Sequence, residues 1–317
     1  TYYKFIQINK QKKLYKTLKK ALKSILRYLP FIAIIFVFLY IEKLKIEKLK
    51  IENINYLIFS YMSLFILFCL RVYIWQRITN KNNIQITYKQ SFINLNKTLL
   101  TKYIPGKVLI HFSRAQLLSD YGYKFKESSY ISFLNQIVSI LVGLFIGLMG
   151  LLIMGLSLYK DIYILIILSI IVISLVSFIF IKKIHNYFLK KYLKNKLGNI
   201  NIDGILEIIL LHFFQWMILG LSFYLFFLSF NFDTFPYSIM LQPLANNIGI
   251  LAIIFPGGLG IREGAMVIYL NAIDVSFKDA TVLSIYSRLW ILIGEILIFF
   301  LALIISISTS KQHKHNR

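Results

Sequence analysis

Acidic residues are scarce in this chain: 13 Asp and Glu stand against 36 Lys and Arg among 317 residues, a formal net charge of +23. No Asp-x-Asp pair exists to hold a metal–sugar nucleotide. The single cysteine, Cys69, lies in an apolar run, which excludes an intrachain disulfide and any Cys/His metal cluster. There is no Gly-x-x-x-x-Gly-Lys phosphate loop and no His-Glu-x-x-His zinc motif. No small-x-small cleavage site follows residues 37–41, so the first apolar segment, about 24–41, is expected to be a retained span, with a signal peptide as the alternative. No catalytic residue, metal or cofactor is therefore assigned.

What the chain does have is apolar length. It is 58% hydrophobic with a mean hydropathy of +0.68, too apolar for a soluble domain and typical of a multi-span membrane protein. In a soluble protein the positive charge would point to nucleic acid. Here it lies between apolar spans, where it sets orientation and attracts anionic lipid headgroups at the cytoplasmic surface. No nucleic-acid partner is expected.

Residues 1–23 form a basic amphipathic segment, with Leu14, Leu18, Leu22 and Ile25 at helical spacing and no acid through residue 27. A transmembrane domain follows over 24–306, and a basic tail over 307–317 ends the chain. Full spans are expected near 24–41, 54–74, 128–156, 162–181, 204–230 and 280–306. The connector at 43–52 holds a short charged duplication with no function attached. Gly143 and Gly147 form a Gly-x-x-x-Gly, the pattern of close helix packing.

Two stretches interrupt this regularity. Tyr103-Ile104-Pro105-Gly106-Lys107 separates two segments of about 13 residues each, about 20 Å as helices and too short for a ~30 Å hydrocarbon core. Phe255-Pro256-Gly257-Gly258-Leu259-Gly260-Ile261-Arg262-Glu263-Gly264 lies in an equally apolar setting, before another short segment at 261–272. Proline ends a helix and clustered glycines let the backbone turn, so each stretch reads as a tip. The basic N-terminus, 75–127, 182–203 and the tail are cytoplasmic by the positive-inside rule; the turns at 42–53, 158–161 and 231–235 are outside. Six spans satisfy this only if 91–119 enter and leave on the inside and 236–276 on the outside. The fold class is thus all-α and polytopic, about six full spans with two opposed re-entrant hairpins. Pro105, Gly106, Pro256, Gly257, Gly258 and Gly260 shape the tips. A tight loop at the membrane surface is the plainer reading of the glycine stretch.

Broken helices in corresponding positions of two inverted halves point to a midplane transport site. Lys107, His111 and Arg114 recur at i, i+4 and i+7, one cationic stripe suited to phosphate. An interfacial helix touching lipid headgroups would show the same stripe. Arg288 and Glu295, seven apart on the last span, could join Arg262 and Glu263 in a buried, near-neutral network, whether structural or on a substrate path. His212, Gln215 and Trp216 read as interhelical hydrogen-bonding residues.

The two tips, with Arg114-Ala115 after the first and an Arg288-bearing helix after the second, resemble the lysylphosphatidylglycerol synthase transmembrane-region family over about residues 55–306. The resemblance implies a domain that moves a lipid, such as an aminoacylated phosphatidylglycerol, between leaflets. Two departures stand out: these 317 residues hold no soluble aminoacyl-transferase domain, so they are not themselves expected to lysinylate lipid, and Asn135-Gln136 stands where relatives often carry an acid. Stand-alone relatives also accompany glycolipid and surface-polysaccharide pathways.

The expected function is a flippase-like translocase for a membrane phospholipid or glycolipid, with Lys107, His111, Arg114, Arg262, Glu263, Arg288 and Glu295 binding substrate. A membrane-embedded transferase on a lipid-linked sugar, or a non-transporting accessory subunit of an envelope pathway, are the alternatives. A homo-oligomer or an envelope-biosynthesis partner fits either, and the location is the cell membrane with both termini cytoplasmic.

Overall fold

A computed structural model describes residues 49–103, 108–158, 202–252, 258 and 260–315. The expected spans at 24–41 and 162–181, the N-terminal segment, the connector at 182–201, and the tip residues Pro105, Gly106, Lys107, Pro256 and Gly257 lie outside them. Among the described residues every regular element is helical: α1 Ile54–Lys81, α2 Tyr88–Lys97, a 3-10 turn Leu99–Tyr103, α3 Leu109–Ser119, α4 Phe125–Leu158, α5 Ile202–Leu228, α6 Tyr237–Leu251, α7 Ile261–Ala272 and α8 Phe277–His315. Four of these, over Ile54–Lys81, Phe125–Gly155, Leu206–Leu228 and Phe277–Ser308, are long and apolar enough to cross a membrane. The protein is an all-α polytopic membrane protein.

The bilayer acts as solvent on the outer faces. Phe59, Met62, Phe65 and Ile66 of α1 and Leu297, Phe300 and Ile304 of α8 are exposed, an outward apolar surface that only lipid would solvate. Lipid is as apolar as leucine, so close packing and interhelical hydrogen bonds must order the helices. Gly147 shows the first: a Cβ there would lie 2.5 Å from the Leu244 Cβ, so α4 and α6 meet backbone to backbone. The small-residue spacing at 143 and 147 is therefore an α4–α6 contact. The second appears where Ser222 Oγ donates to Ser63 Oγ at 2.8 Å and Trp290 Nε1 donates to Ser60 Oγ at 3.1 Å, tying α5 and α8 to α1.

Helix ends follow local chemistry. Thr87 caps α2 in a reciprocal box: its hydroxyl accepts from Gln90 N at 3.2 Å and Gln90 Oε1 accepts from Thr87 N at 2.9 Å. Gly260, at φ 81°, starts α7 with half of such a box, its N–H donating to Glu263 Oε2 at 2.8 Å. α1 continues to Lys81, seven residues beyond the expected end of its span. The polar last turns are held there because Arg77 Nε (2.6 Å) and Lys81 Nζ (2.8 Å) both reach Glu207 on α5. At the other end the Glu52 and Asn53 N–H groups donate to the Ser229 carbonyl, so α1 and α5 run antiparallel over their full length.

Both interrupted stretches are helix–break–helix units. α2, the 3-10 turn and α3 form the first; α6 and α7 form the second, with α6 against α4 and α5 and α7 against α8. Pro243 inside α6 removes one backbone donor and frees the Ile239 carbonyl. That carbonyl faces Gly220 of α5, where a Cβ would stand only 2.4 Å from the oxygen.

Candidate functional site

The two units and the long helices enclose a cavity of about 250 Å³. Five cations line it, each from a different element: Arg71 (α1), Lys102 (3-10 turn), Arg114 (α3), Arg262 (α7) and Arg288 (α8). One carboxylate, Glu295, shares the lining, a formal excess of four positive charges among the described residues. A lone charge at the bilayer centre costs roughly 2.5–3.5 kcal/mol on insertion scales, so such a cluster needs counter-charges or a ligand.

The acids already present are committed. Glu295, fully buried, takes an ion pair from Lys102 and accepts from Tyr103 Oη at 2.9 Å. Lys102 and Arg288 approach the Tyr103 ring, at 5.1 and 5.3 Å from its centroid. Glu263 turns one oxygen to its own helix start and the other to Arg288 Nη1 at 3.4 Å. Glu295 thus pairs with Lys102 of the 3-10 turn while Glu263 pairs with Arg288, and among the described residues the cations of the lining outnumber its carboxylate.

Two arginines keep polar atoms in reserve. Arg262 Nε and Nη2 and Arg114 Nε are buried without a hydrogen-bond partner among the described residues, although both side chains are over 90% buried. Each lies near an aromatic ring instead, Arg262 at 5.4 Å from the Phe223 centroid and Arg114 at 5.7 Å from that of Trp75. A guanidinium presents five donors and keeps its charge, so unused N–H groups beside a cavity suit an anion with several acceptor oxygens. Close backbone contact positions Arg262. A Cβ on Gly249 would stand 2.9 Å from the Arg262 Cβ, and one on Gly258 would stand 2.6 Å from the Gly249 oxygen.

The remaining lining is mostly apolar, with Phe68, Leu95, Leu99, Leu219 and Ile291 among it, and carries a set of neutral polar groups. His111 Nδ1 lies 2.8 Å from Ser132 Oγ. Gln215 Nε2 donates to Ser139 Oγ at 3.3 Å and Trp216 Nε1 to the Ser139 carbonyl at 2.7 Å, interhelical bonds between α5 and α4. His212, 1% exposed, has Gln215, one turn further along the same helix, as its hydrogen-bonding neighbour.

Of the residues singled out from the sequence, His111, Arg114, Arg262, Arg288 and Glu295 meet at this cavity. Glu263 sits behind Arg288, and Lys107 lies outside the described residues. Sequence reasoning missed Arg71, Lys102 and Tyr103. Arg71 carried a usable signal, a lone arginine inside an apolar span. Lys102 and Tyr103 carried none, being one more lysine and tyrosine in a basic stretch.

Fold and site together define a multi-pass helical membrane protein with a buried cationic cavity bounded by two broken-helix units. The chain belongs to the lysylphosphatidylglycerol synthase TM region family, matching it over residues 14–299. It is accordingly a membrane protein involved in lipid handling. Comparison with curated proteins and with solved structures found no match.

Proposed function

We propose that the protein is a lipid translocase that moves a phospholipid or lipid-linked headgroup between leaflets, holding the headgroup in the cationic cavity while the acyl chains stay in the bilayer. The observation that carries this reading is the set of N–H groups on Arg114 and Arg262 left unpartnered among the described residues, in a cavity to which those residues bring five cations and one engaged carboxylate. The volume suits a headgroup and not a whole lipid, since pockets for drug-sized ligands run roughly 300–1,000 Å³.

In this reading the two broken-helix units are re-entrant. α2 and α3, at 10 and 11 residues, reach about 15–17 Å at 1.5 Å per residue, short of a ~30 Å core. Positive-inside orientation puts the end bearing Arg77, Lys81, Lys89 and Lys97 in the cytoplasm, with the C-terminus on the same side. Arg71 then lies roughly 15 Å from the Lys81 end of α1, which sets the cavity in the inner part of the membrane. Lys107, Arg114 and Arg71 would receive phosphate from the inner leaflet, and Arg262, Arg288 and Glu263 would line the outward route. A transferase would need a general base; both carboxylates at the site are engaged by cations or N–H groups, which leaves His111 and His212 as its candidates.

The test is leaflet exchange of labelled lipids in liposomes containing the purified protein, comparing wild type with Arg262→Ala, Arg114→Ala and Glu263→Gln of verified fold. Exchange that falls at least about tenfold in the arginine variants, the equivalent of ~1.4 kcal/mol, is expected. Well-folded wild-type protein that exchanges no phospholipid and no lipid-linked sugar would end the autonomous-translocase reading.

A further inference from the structure

The translocation reading leaves the headgroup open, and the distribution of charge around the cavity narrows it. Glu295 already answers Lys102 and Tyr103, and Glu263 answers Gly260 and Arg288. No other acid among the described residues lines the cavity. An ammonium group entering there would meet five cations and find no uncommitted carboxylate among the described residues, a like-charge encounter that low dielectric makes worse.

The neutral wall points the other way. Among the described residues Asn96 Nδ2, on a side chain 4% exposed, has no partner, nor has Asn135 Oδ1, and the buried imidazole of His212 stands beside Gln215. Gln136 completes this wall. An amide carries both donors and acceptors, and a neutral imidazole carries one of each. Hydroxyl groups, which give one hydrogen bond and take two, are the natural match for such a mixture; an ammonium can only give.

We infer that the cavity selects a lipid phosphodiester whose headgroup beyond the phosphate is uncharged and hydroxyl-bearing, a glycerol or a sugar, and discriminates against headgroups with a free ammonium. This rests on the translocase reading for its purpose but not for its test, because it concerns binding alone. The phosphate sits with Arg114 and Arg262, whose spare N–H groups it saturates, and the hydroxyls face Asn96, Asn135 and His212. Selectivity of this kind departs from what the family's name suggests, since a lysyl ester brings two ammonium groups.

Binding to the purified full chain in detergent micelles, followed by native mass spectrometry, tests it. The probes are phosphatidylglycerol, a polyprenyl-phosphate sugar, lysyl-phosphatidylglycerol, phosphatidylethanolamine and a diacylglyceryl glucoside without phosphate. At least one of the first two should bind about tenfold or more tighter than each of the last three, and which of them wins identifies the lipid class. Arg262→Ala and Arg114→Ala should erase the advantage over the phosphate-free glucoside. Gln136→Glu, which adds an uncommitted carboxylate to the wall, should narrow the gap to lysyl-phosphatidylglycerol by about tenfold while leaving the fold intact. Equal or tighter binding of lysyl-phosphatidylglycerol or phosphatidylethanolamine overturns the inference, as does equal binding of the glucoside or no binding of any probe. Selective binding without leaflet exchange would keep the inference and sink the translocase; exchange without selectivity would do the reverse.

Discussion

Glu295→Gln is the most informative single change outside the arginines. The carboxylate is fully buried and takes the ammonium of Lys102 and the hydroxyl of Tyr103. The amide preserves shape and can still accept from Tyr103, so the perturbation is the loss of one negative charge. Removing one partner of a buried pair costs about 3–5 kcal/mol; the Lys102 side chain retains 31% of its surface, which lowers the expectation to roughly 2–3 kcal/mol. Thermal unfolding in detergent should then fall by roughly 4–10 °C on the scale of single domains of comparable size. Replacing Lys102 by Met alone should cost about as much, since it strands the carboxylate, while the double variant Lys102→Met/Glu295→Gln should recover most of the loss. A coupling energy below about 0.5 kcal/mol in that cycle would refute the view that this pair anchors the 3-10 turn to α8. Phosphatidylglycerol binding should survive in Glu295→Gln at temperatures where it is folded, because the cavity becomes more cationic.

Three further outcomes are expected. Gly249→Val should lower lipid affinity and leaflet exchange together and cost about 1–3 kcal/mol of stability, because the new side chain displaces the Arg262 Cβ, 2.9 Å from where its own Cβ would stand; exchange at the wild-type rate would show that Arg262 placement does not matter. Gly147→Leu should reduce the yield of folded protein by forcing α4 away from Leu244 of α6, read by size-exclusion profile and melting temperature. Glu207→Gln, by contrast, should change stability by only about 1 kcal/mol or less, and less still at high salt, because Glu207 is 31% and Arg77 42% exposed; a large, salt-insensitive loss would contradict that placement.

Much of the architecture was readable before any coordinates. The spans near 54–74, 128–156, 204–230 and 280–306, and the short helix at 261–272, appear as α1, α4, α5, α8 and α7. Hydropathy and helix breaking act over contiguous residues, so they survive in one dimension. The same holds for the class of protein and for the two Pro-Gly interruptions, which are local conflicts between backbone chemistry and an apolar setting. His111, Arg114, Arg262, Arg288 and Glu295 could be chosen because a charge in apolar sequence stands out.

What they do to one another could not. Arg71 and Arg262 are nearly two hundred positions apart, and their shared cavity depends on how α1, α4, α5, α6 and α7 cross. Glu295 pairs with Lys102 across 193 positions, a choice made by where the 3-10 turn lands on α8 and not by helical spacing to Arg288. That pairing, invisible along the chain, engages the one carboxylate that lines the cavity among the described residues, which is what the proposed anion site rests on. Sequence determines which residues tolerate the membrane; only the packing of helices decides which charges are neutralised and which remain for a ligand.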